Sequence, residues 1–331
     1  MKNNIWIPVV LLLSLLAACG GSSPAPSTAW KFAYFSDNKD ATDASGVNTA
    51  TVGRIAQDMK DQGVALVLAG GDLIDGRGLD QAGLVAQYES WLAAMAPVYD
   101  ANIPVYAVPG NHEYWCDTNE NCVAAWQQAI VPLLPSGRTD NADYPGREYS
   151  FTYSNAFFIG LDQNQFGSSM PAYYRGNDID WIDGQLATYD SATYIHVISF
   201  GHMPQFMLQY GWSDANKANR EEFWNALGAV NSKMYFTGHS HTYALGLATT
   251  EDGAKSIYQI LAGSAGAGFE SGSWDGVYYE SDRVTSVDRN NEFEGYALVT
   301  IDGASVTMVW RYYDAVAGAF SSTPGFNYVK E

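Results

Sequence analysis

The chain is poor in positive charge and in cysteine. Of its 331 residues only 17 are Lys or Arg, against 36 Asp or Glu, so the formal net charge is −19. Duplex nucleic acids and anionic membrane surfaces bind clustered Lys and Arg, and this charge balance excludes them as bulk partners. With 47% hydrophobic and only 16% charged residues, the composition also excludes the disordered class and allows a sizeable core.

An apolar segment at the N-terminus, Ile5–Ala18, is too short for a membrane span. Its 14 residues fall below the roughly 20 that a spanning helix needs, and with Lys2 before them they are typical of a secretory signal. The segment 16–19 (LAAC) resembles a bacterial lipobox, which implies a signal peptide over residues 1–18 and acylation of Cys19. Residues 19–29 would then form a flexible tether. The alternative is an ordinary signal peptide with an incidental cysteine.

The lipobox implies a location. We expect an exported, lipid-anchored protein, either in the outer membrane facing the periplasm or at the cell surface. The other two cysteines, Cys116 and Cys122, would then lie in an oxidising compartment where a disulfide persists. A bridge closing so short a loop contributes about 2 kcal/mol on the chain-entropy model, so its main effect would be to fix the segment after Glu113. Two unpaired thiols are the alternative.

Strand and helix patterns alternate along most of the chain. Val64–Ala69 is a continuous apolar run of the kind that parallel sheets bury, whereas Val52, Ile55 and Met59 recur at helical spacing. The predicted strands are 30–36, 64–69, 105–108, 149–153, 156–161, 194–200 and 234–236, with helices at 52–59, 84–95, 179–186 and 214–228 and a strand-rich tail from 256. This order predicts an α/β fold of two sheets covered by helices, in one domain over residues 30–331.

Polar side chains follow the predicted strands at the point where each strand ends. They are Asp37, Asp72, Asn111 with His112, His202, and His239 with His241. Open α/β sheets bind ligands at the carboxyl ends of their strands. Four of the five histidines lie on these loops. We therefore expect these side chains to meet at one edge of the sheets.

These residue types together indicate a metal site. Neutral imidazoles, carboxylates and an amide oxygen are suitable ligands for Zn, Mn or Fe, and a carboxylate can bridge two ions. Every one of these loops except that of Asp37 also carries glycine next to the polar residue, which lets the backbone turn sharply and approach an ion. His196 is different, because it lies inside an apolar strand, and we predict that it is a hydrogen-bonded core residue.

The chain resembles the calcineurin-like metallophosphoesterase superfamily, which includes the purple acid phosphatases. The motifs stand in the family's order and cover nearly the whole chain after the N-terminal segment. They are Asp37-Asn38-Lys39, Gly71-Asp72, Gly110-Asn111-His112-Glu113, Gly201-His202 and Gly238-His239-Ser240-His241. The resemblance implies the metallo-dependent phosphatase fold, a four-layer α-β-β-α sandwich of two mixed β-sheets flanked by helices.

The resemblance also implies two divalent or trivalent metal ions, Mn, Fe or Zn. Asp37, Asp72 and His241 would hold one ion, and Asp72, Asn111, His202 and His239 the other, with Asp72 bridging. The implied reaction is hydrolysis of phosphoric mono- or diesters by a metal-bridging hydroxide.

The same resemblance assigns roles toward the substrate. His112 would donate the proton to the leaving oxygen or stabilise the charged transition state. Lys39, Asn111 and His202 would contact the phosphate. We expect a small phosphate ester as substrate, since the acidic surface repels large polyanions.

The first motif departs from the family pattern. The usual Asp-x-His carries Lys39 at its third position, and a protonated ammonium cannot be a metal ligand. Either water or Asp75 completes the first metal site, or that ion is weakly held and Lys39 supplies positive charge to the substrate. We expect two ions with an altered first site. A mononuclear centre is the alternative.

Other interpretations remain open from sequence. One is a catalytically silent surface or binding lipoprotein that keeps the fold, and another is an enzyme acting on a nucleotide or a phospholipid head group. Arg77, Arg147 and Arg175 could reach a phosphate or could instead be surface ion-pair residues.

Overall fold

The computed structural model describes residues 29–166, 173–206, 208, 217–269 and 283–330. The predicted signal peptide, the lipidated Cys19 and nearly all of the tether lie outside these residues. Within the described part of the chain, no helix is long and apolar enough to cross a membrane.

Two large β-sheets pack face to face in the described residues. Their strands, with one further hairpin, are β1 (Trp30–Phe35), β2 (Leu66–Ala69), β3 (Val105–Ala107), β4 (Thr139–Asp140), β5 (Tyr149–Tyr153), β6 (Ala156–Gly160), β7 (Asn164–Gln165), β8 (Tyr173–Tyr174), β9 (His196–Phe200), β10 (Met234–Thr237), β11 (Tyr243–Thr249), β12 (Ser256–Ala262), β13 (Val284–Asn290), β14 (Gly295–Asp302), β15 (Ser305–Asp314) and β16 (Ala319–Val329). The first sheet has the order β16-β15-β14-β1-β2-β3, and the second β13-β11-β12-β10-β9-β6-β5-β4. The neighbours β7 and β8 form the small hairpin.

Both sheets are mixed. Strands β1, β2 and β3 run parallel, and so do β6, β9, β10 and β12, while the outer strands pair antiparallel. The parallel strands of each sheet therefore end at a common edge. The predicted hairpin over residues 149–161 is confirmed, since β5 and β6 pair antiparallel from Tyr149↔Gly160 to Tyr153↔Ala156.

The helices cover the outer faces of the sheets. They are α1 (Thr49–Asp61), α2 (Gln81–Ala94), α3 (Ala96–Asp100), α4 (Asn119–Ala129), α5 (Ile179–Thr188) and α6 (Lys217–Ala229), with short 3-10 turns at His112–Tyr114 and Val131–Leu133. Helix α1 begins where the side chain of Asn48 accepts from the amide of Thr51. The predicted α/β fold of two mixed sheets flanked by helices is confirmed. Helix α4 lies outside all predicted elements.

Strand alternation divides the core into two layers. In β6, Phe158 points between the sheets and meets Phe32 at 5.8 Å in an edge-to-face contact, whereas Phe157 and Ile159 pack in the outer layer with α5 and α6. Successive side chains of a strand point to opposite faces, so one apolar run serves both layers.

Two sequence predictions outside the site are also met. Cys116 and Cys122 form a disulfide, with their Cα atoms 5.8 Å apart, between the 3-10 turn at His112 and the start of α4. His196 is buried, and its Nε2 lies 2.8 Å from the carbonyl oxygen of Gly303. It is a core histidine, as predicted.

Candidate metal centre

Three predicted ligands hold the backbone in an unfavourable conformation. Asp37, Asp72 and His239 have positive φ angles of 62°, 52° and 72°, in the left-handed region that costs a non-glycine residue free energy. Each follows the end of a parallel strand, β1, β2 or β10. Strain at three separate strand ends that face each other is an observation that points to a functional site.

Two glycines allow these loops to approach closely. A Cβ on Gly110 would collide with the carboxylate and backbone nitrogen of Asp72, and a Cβ on Gly238 would collide with Ser36 and the Asp37 carboxylate. Glycine is therefore required at both positions for the loops to pack around the carboxylates.

The carboxylate of Asp72 lies at the middle of the site and is fully buried. Its Oδ1 accepts from the backbone amide of His112 at 2.9 Å and is 3.4 Å from Nε2 of His202. Its Oδ2 forms an ion pair with the Lys39 ammonium. Burial would raise the pKa of Asp72, but the neighbouring His202, the positive charge of Lys39 and the hydrogen bond from Lys39 hold that pKa well below its ordinary value.

His202 presents a lone pair to the site. Its Nδ1 is 2.9 Å from the Gly70 carbonyl oxygen, which can only accept, so Nδ1 carries the proton. Burial lowers the pKa of His202 to about 4, and the ring is therefore neutral near pH 7. Nε2 then faces two other acceptors, Oδ1 of Asp72 and Oδ1 of Asn111, the latter at 3.0 Å.

Asp37 and the paired histidines complete the cluster. Oδ2 of Asp37 accepts from the Ser36 hydroxyl at 2.5 Å and from the His239 amide at 2.9 Å, whereas its buried Oδ1 has no hydrogen-bond partner in the structure. Nε2 of His241 lies 3.8 Å from that Oδ1. Nδ1 of His239 lies 2.9 Å from Oδ1 of Asn111.

The electrostatics of the cluster favour bound cations. Burial and the negative charge of Asp72 raise the pKa of Asp37 well above its ordinary value. Lys39 is a single cation beside two buried carboxylates and is paired with Asp72. Burial also lowers the pKa of His241 to about 4 and that of His239 well below its usual range. The rings are neutral and their lone pairs are available as ligands.

The residues present therefore fit a metal centre. Among the described residues, the ligand atoms of Asp37, Asp72 and His202 lie within 4.8 Å of one another. The orphaned Oδ1 of Asp37 and the facing acceptors around His202 are groups that a cation would satisfy. The structure thus brings together all the ligands that the sequence predicted, except Asp75.

Asp75 lies beside His112. Nδ1 of His112 is 2.7 Å from the Asp75 carbonyl oxygen and 3.4 Å from its Oδ1. A hydrogen bond to His112 lowers the pKa of Asp75. Nε2 of His112 points toward the centre, 4.0 Å from Oδ2 of Asp72. The contacts of Asp75 therefore suit a partner of His112, and a role as metal ligand stays a prediction.

Sequence reasoning assigned no role to Glu113. Its buried carboxylate accepts from the backbone amides of Asp72 and Leu73, both at 2.8 Å, and of Gly110 at 2.6 Å. Burial raises the pKa of Glu113 to about 7. Glu113 thus ties together the two loops that carry Asp72 and Asn111, and the only signal for it was its place in the Gly-Asn-His-Glu motif.

The family follows from a comparison of the sequence with protein families. Residues 32–243 match the model described as calcineurin-like phosphoesterase. The chain belongs to the calcineurin-like phosphoesterase family. The matched residues include every predicted metal ligand, and the family agrees with the cluster of buried ligand groups at the sheet edge.

Relatives of this chain include phosphatases. It is 29% identical over 154 residues to the serine/threonine-protein phosphatase CPPED1 of Bos taurus, a match that covers 44% of each chain. The alignment thus spans less than half the length of that relative.

Solved structures share the fold. The purple acid phosphatase PPD1 of yellow lupin (Lupinus luteus) has a TM-score of 0.64 at 17% identity, covering 92% of this chain and 54% of that one. GAP50, described as the anchor in the inner membrane complex of Plasmodium, has a TM-score of 0.59 at 14% identity, covering 92% and 90%.

Proposed function

We propose that this phosphoesterase hydrolyses small phosphate esters with the help of bound metal ions. The observation that carries the proposal is the convergence of Asp37, Asp72 and His202 at a strained sheet edge where buried acceptors face one another. Bound metal would polarise the phosphoryl oxygens and lower the pKa of water.

The two oxygens of Asp72 divide the centre into unequal halves. On the Oδ1 side, Asn111, His202 and His239 offer an amide oxygen and neutral nitrogens. Oδ2 of Asp72 is paired with the Lys39 ammonium, and Oδ1 of Asp37 lies 3.8 Å from Nε2 of His241. We infer that Asn111, His202 and His239 would hold one ion tightly and that Asp37 and His241 would hold another weakly, because the Lys39 ammonium already balances one of the two buried carboxylates.

Metal analysis tests this inequality. Purified protein should retain about one equivalent after gel filtration without added metal, and Lys39→His, which restores the Asp-x-His pattern, should retain close to two. Lys39→Met removes the charge without adding a ligand and is the matched control. Two tightly held equivalents in the unaltered protein would contradict the inference.

His112 is placed to act on the leaving group. Its Nδ1 proton is committed to the Asp75 carbonyl oxygen, so Nε2 can donate only when the ring is doubly protonated. The Asp75 carboxylate, 3.4 Å from Nδ1, supplies the counter-charge for that form. Nε2 faces the centre and can pass its proton to the oxygen that leaves phosphorus.

A second candidate is a catalytically silent protein that keeps the fold. Lys39 in contact with Asp72 supports it, since an internal cation reduces the need for metal. The fold also occurs in GAP50, which is described as an anchor.

For the location we propose lipid anchoring through Cys19, supported by the lipobox in the sequence. Cys19→Ser should release the protein from the membrane fraction.

One screen separates the candidates. The protein is supplied with Mn²⁺, Zn²⁺ or Fe and assayed on aryl phosphate monoesters, aryl phosphate diesters and nucleotides, with metal content measured in parallel. Turnover that disappears in His239→Ala but persists in His196→Gln supports the enzyme. Metal-loaded protein that turns over none of these esters supports the silent alternative.

A further inference from the structure

A second buried polar cluster lies next to the metal centre. It consists of Arg147, Arg175, Glu148, Asp162 and Tyr114, and we call it the arginine cluster. The two arginine side chains are only 11% and 15% exposed. Arg147 and Arg175 are therefore not surface ion-pair residues, in contrast to Arg77, whose side chain is 51% exposed.

The arginines use only part of their hydrogen-bonding capacity. Arg147 donates from Nη1 to the Tyr114 hydroxyl at 2.5 Å and lies 3.4 Å from Oδ2 of Asp162. Arg175 donates from Nη2 to the Asp162 carbonyl oxygen and lies 3.4 Å from Oε2 of Glu148. The buried Nε of each arginine has no partner in the structure. Buried N–H groups are rarely left without an acceptor.

A cavity of about 420 Å³ opens beside the two arginines. Its lining includes the rings of Tyr114, Tyr144 and Phe166 together with Arg147, Arg175 and Asn164. Asn164 is 2% exposed, and neither polar atom of its amide has a hydrogen-bond partner among the described residues. Turning this amide toward the cavity would break no hydrogen bond within the protein.

The charge of the cavity wall suits an anion. None of the described residues that line it is a carboxylate, and the guanidinium of Arg175 stacks 3.9 Å above the Tyr144 ring. The two acids of the cluster lie behind the wall. Burial raises the pKa of Glu148 to about 8 and raises that of Asp162, so Glu148 carries little negative charge near pH 7.

The cavity shares structural elements with the metal centre. Tyr114 belongs to the same 3-10 turn as His112, and two residues of backbone separate their Cα atoms by at most about 7 Å. On the other side, Gln163 precedes Asn164, and its Oε1 accepts from the backbone amide of His202 at 3.0 Å. The cavity and the metal centre are thus built on neighbouring residues of the same two segments.

We propose that the cavity binds a second anionic group of the substrate, a phosphate or a carboxylate on the leaving group, through Arg147, Arg175 and Asn164. This inference rests on the proposed function, since the ester itself would lie at the metal centre. The chain would then favour phosphate esters whose alcohol carries a further negative charge.

The variant Asn164→Leu separates this role from a structural one. No group of the described residues uses the Asn164 amide, so replacing it by an apolar side chain of similar size should leave the thermal unfolding temperature unchanged or raise it. A fall of several degrees would show that Asn164 serves the fold. Arg175→Gln tests the charge, and Arg54→Gln, at a surface ion pair with Glu294, is its matched control.

The readout is a ratio of two kcat/KM values. Phenyl phosphate is compared with 3-carboxyphenyl phosphate and with 1,3-phenylene bisphosphate, which distinguish a carboxylate from a phosphate as the second anion. The unaltered protein and Arg54→Gln should favour at least one charged ester by about tenfold, the scale of a charge-assisted contact. Asn164→Leu and Arg175→Gln should lose that preference. Equal ratios in all four proteins would overturn the proposal.

A binding measurement separates failure of this proposal from failure of the proposed function. Isophthalate, a dicarboxylate without phosphorus, is titrated calorimetrically into the metal-loaded protein and into Asn164→Leu. If no ester is hydrolysed but isophthalate binds the unaltered protein about tenfold more tightly than the variant, the anion site stands and the hydrolase does not. If esters are hydrolysed and isophthalate binds both proteins equally, the anion site is refuted.

Discussion

Two buried polar clusters stand side by side at this edge of the sheets, and they are incomplete in opposite ways. In the metal centre, the buried atoms that lack a hydrogen-bond partner are acceptors. Oδ1 of Asp37 has no donor among the described residues, and Nε2 of His202 faces other acceptors. In the arginine cluster, Nε of Arg147 and of Arg175 are donors without a partner, and Oε1 of Glu148, also without a partner, belongs to a carboxyl whose pKa burial raises to about 8. The difference teaches that the sign of what a buried cluster lacks indicates its ligand, a cation in one case and an anion in the other.

The most direct way to break this comparison is to remove the central acceptor. Asp72→Asn should lower kcat/KM by about a thousandfold or more, because a neutral amide would hold a metal ion less well than the carboxylate and leaves Lys39 without its counter-charge. Metal content and phosphatase activity measure the effect. Full metal content together with near-normal activity would show that the Asp72 carboxylate is not needed to hold the metal.

A smaller loss is expected at His112. His112→Ala should keep its metal and lower kcat by about a hundredfold, since its Nε2 faces the centre but is not among the clustered ligand atoms. Comparison of kcat and bound metal with those of His196→Gln, a buried histidine outside the site, gives the control. An unchanged kcat would remove His112 from the mechanism.

Glu113 tests whether the loops must be held together for the acceptors to converge. Glu113→Gln should weaken metal binding by about tenfold, because an amide cannot accept from three backbone N–H groups as the carboxylate does. Titration of metal into chelator-treated protein measures the affinity, with the exposed Glu89→Gln as control. Equal affinities in both variants would mean that the loops need no such tie.

The smallest effect concerns the acid behind the arginine cluster. Burial raises the pKa of Glu148 to about 8, above its usual value of about 4.5, so the folded state holds a proton that the unfolded state releases as pH rises between these values. Its contribution to stability is full below about pH 4.5 and is lost as pH rises through about 8.

Glu148→Gln should remove this pH dependence. The variant should gain about 3 °C or more in unfolding temperature relative to the unaltered protein at pH 8, and less at pH 5. Differential scanning calorimetry at the two values, with Glu89→Gln as control, measures it. A gain that is equal at both pH values would show that Glu148 is ionised in the fold.

Much of the fold was accessible from local patterns. The runs of β2 and β6 are apolar without a break, which indicates strands covered on both faces, and the spacing of Val52, Ile55 and Met59 matches the buried face of α1. Helix α4 was not predicted, since its first turn is polar and its apolar residues are mostly small. Its N-cap at Thr118 and the Cys116–Cys122 bridge fix it by contacts that periodicity does not show.

The ligand types of the metal centre were also accessible, because a polar residue after each parallel strand must return to one edge of the sheet. The roles of Asp75 and Glu113 were not. Sequence distance placed Asp75 near Asp72, but the structure sets it against His112, and Glu113 acts through backbone amides of a loop 40 residues away.

The sequence by itself determined which ligand groups the chain brings to its strand ends, since histidines, carboxylates and glycines at those positions can be counted along the chain. Only the tertiary structure decided which charged groups pair with one another and which stay available to a ligand. Whether Lys39 faces a substrate or Asp72, and whether Arg147 and Arg175 lie at the surface or beside a cavity, depends on burial and on contacts between distant segments. The effect of a charge in a protein depends on its burial and on its distance from other charges, and neither can be read from the order of residues.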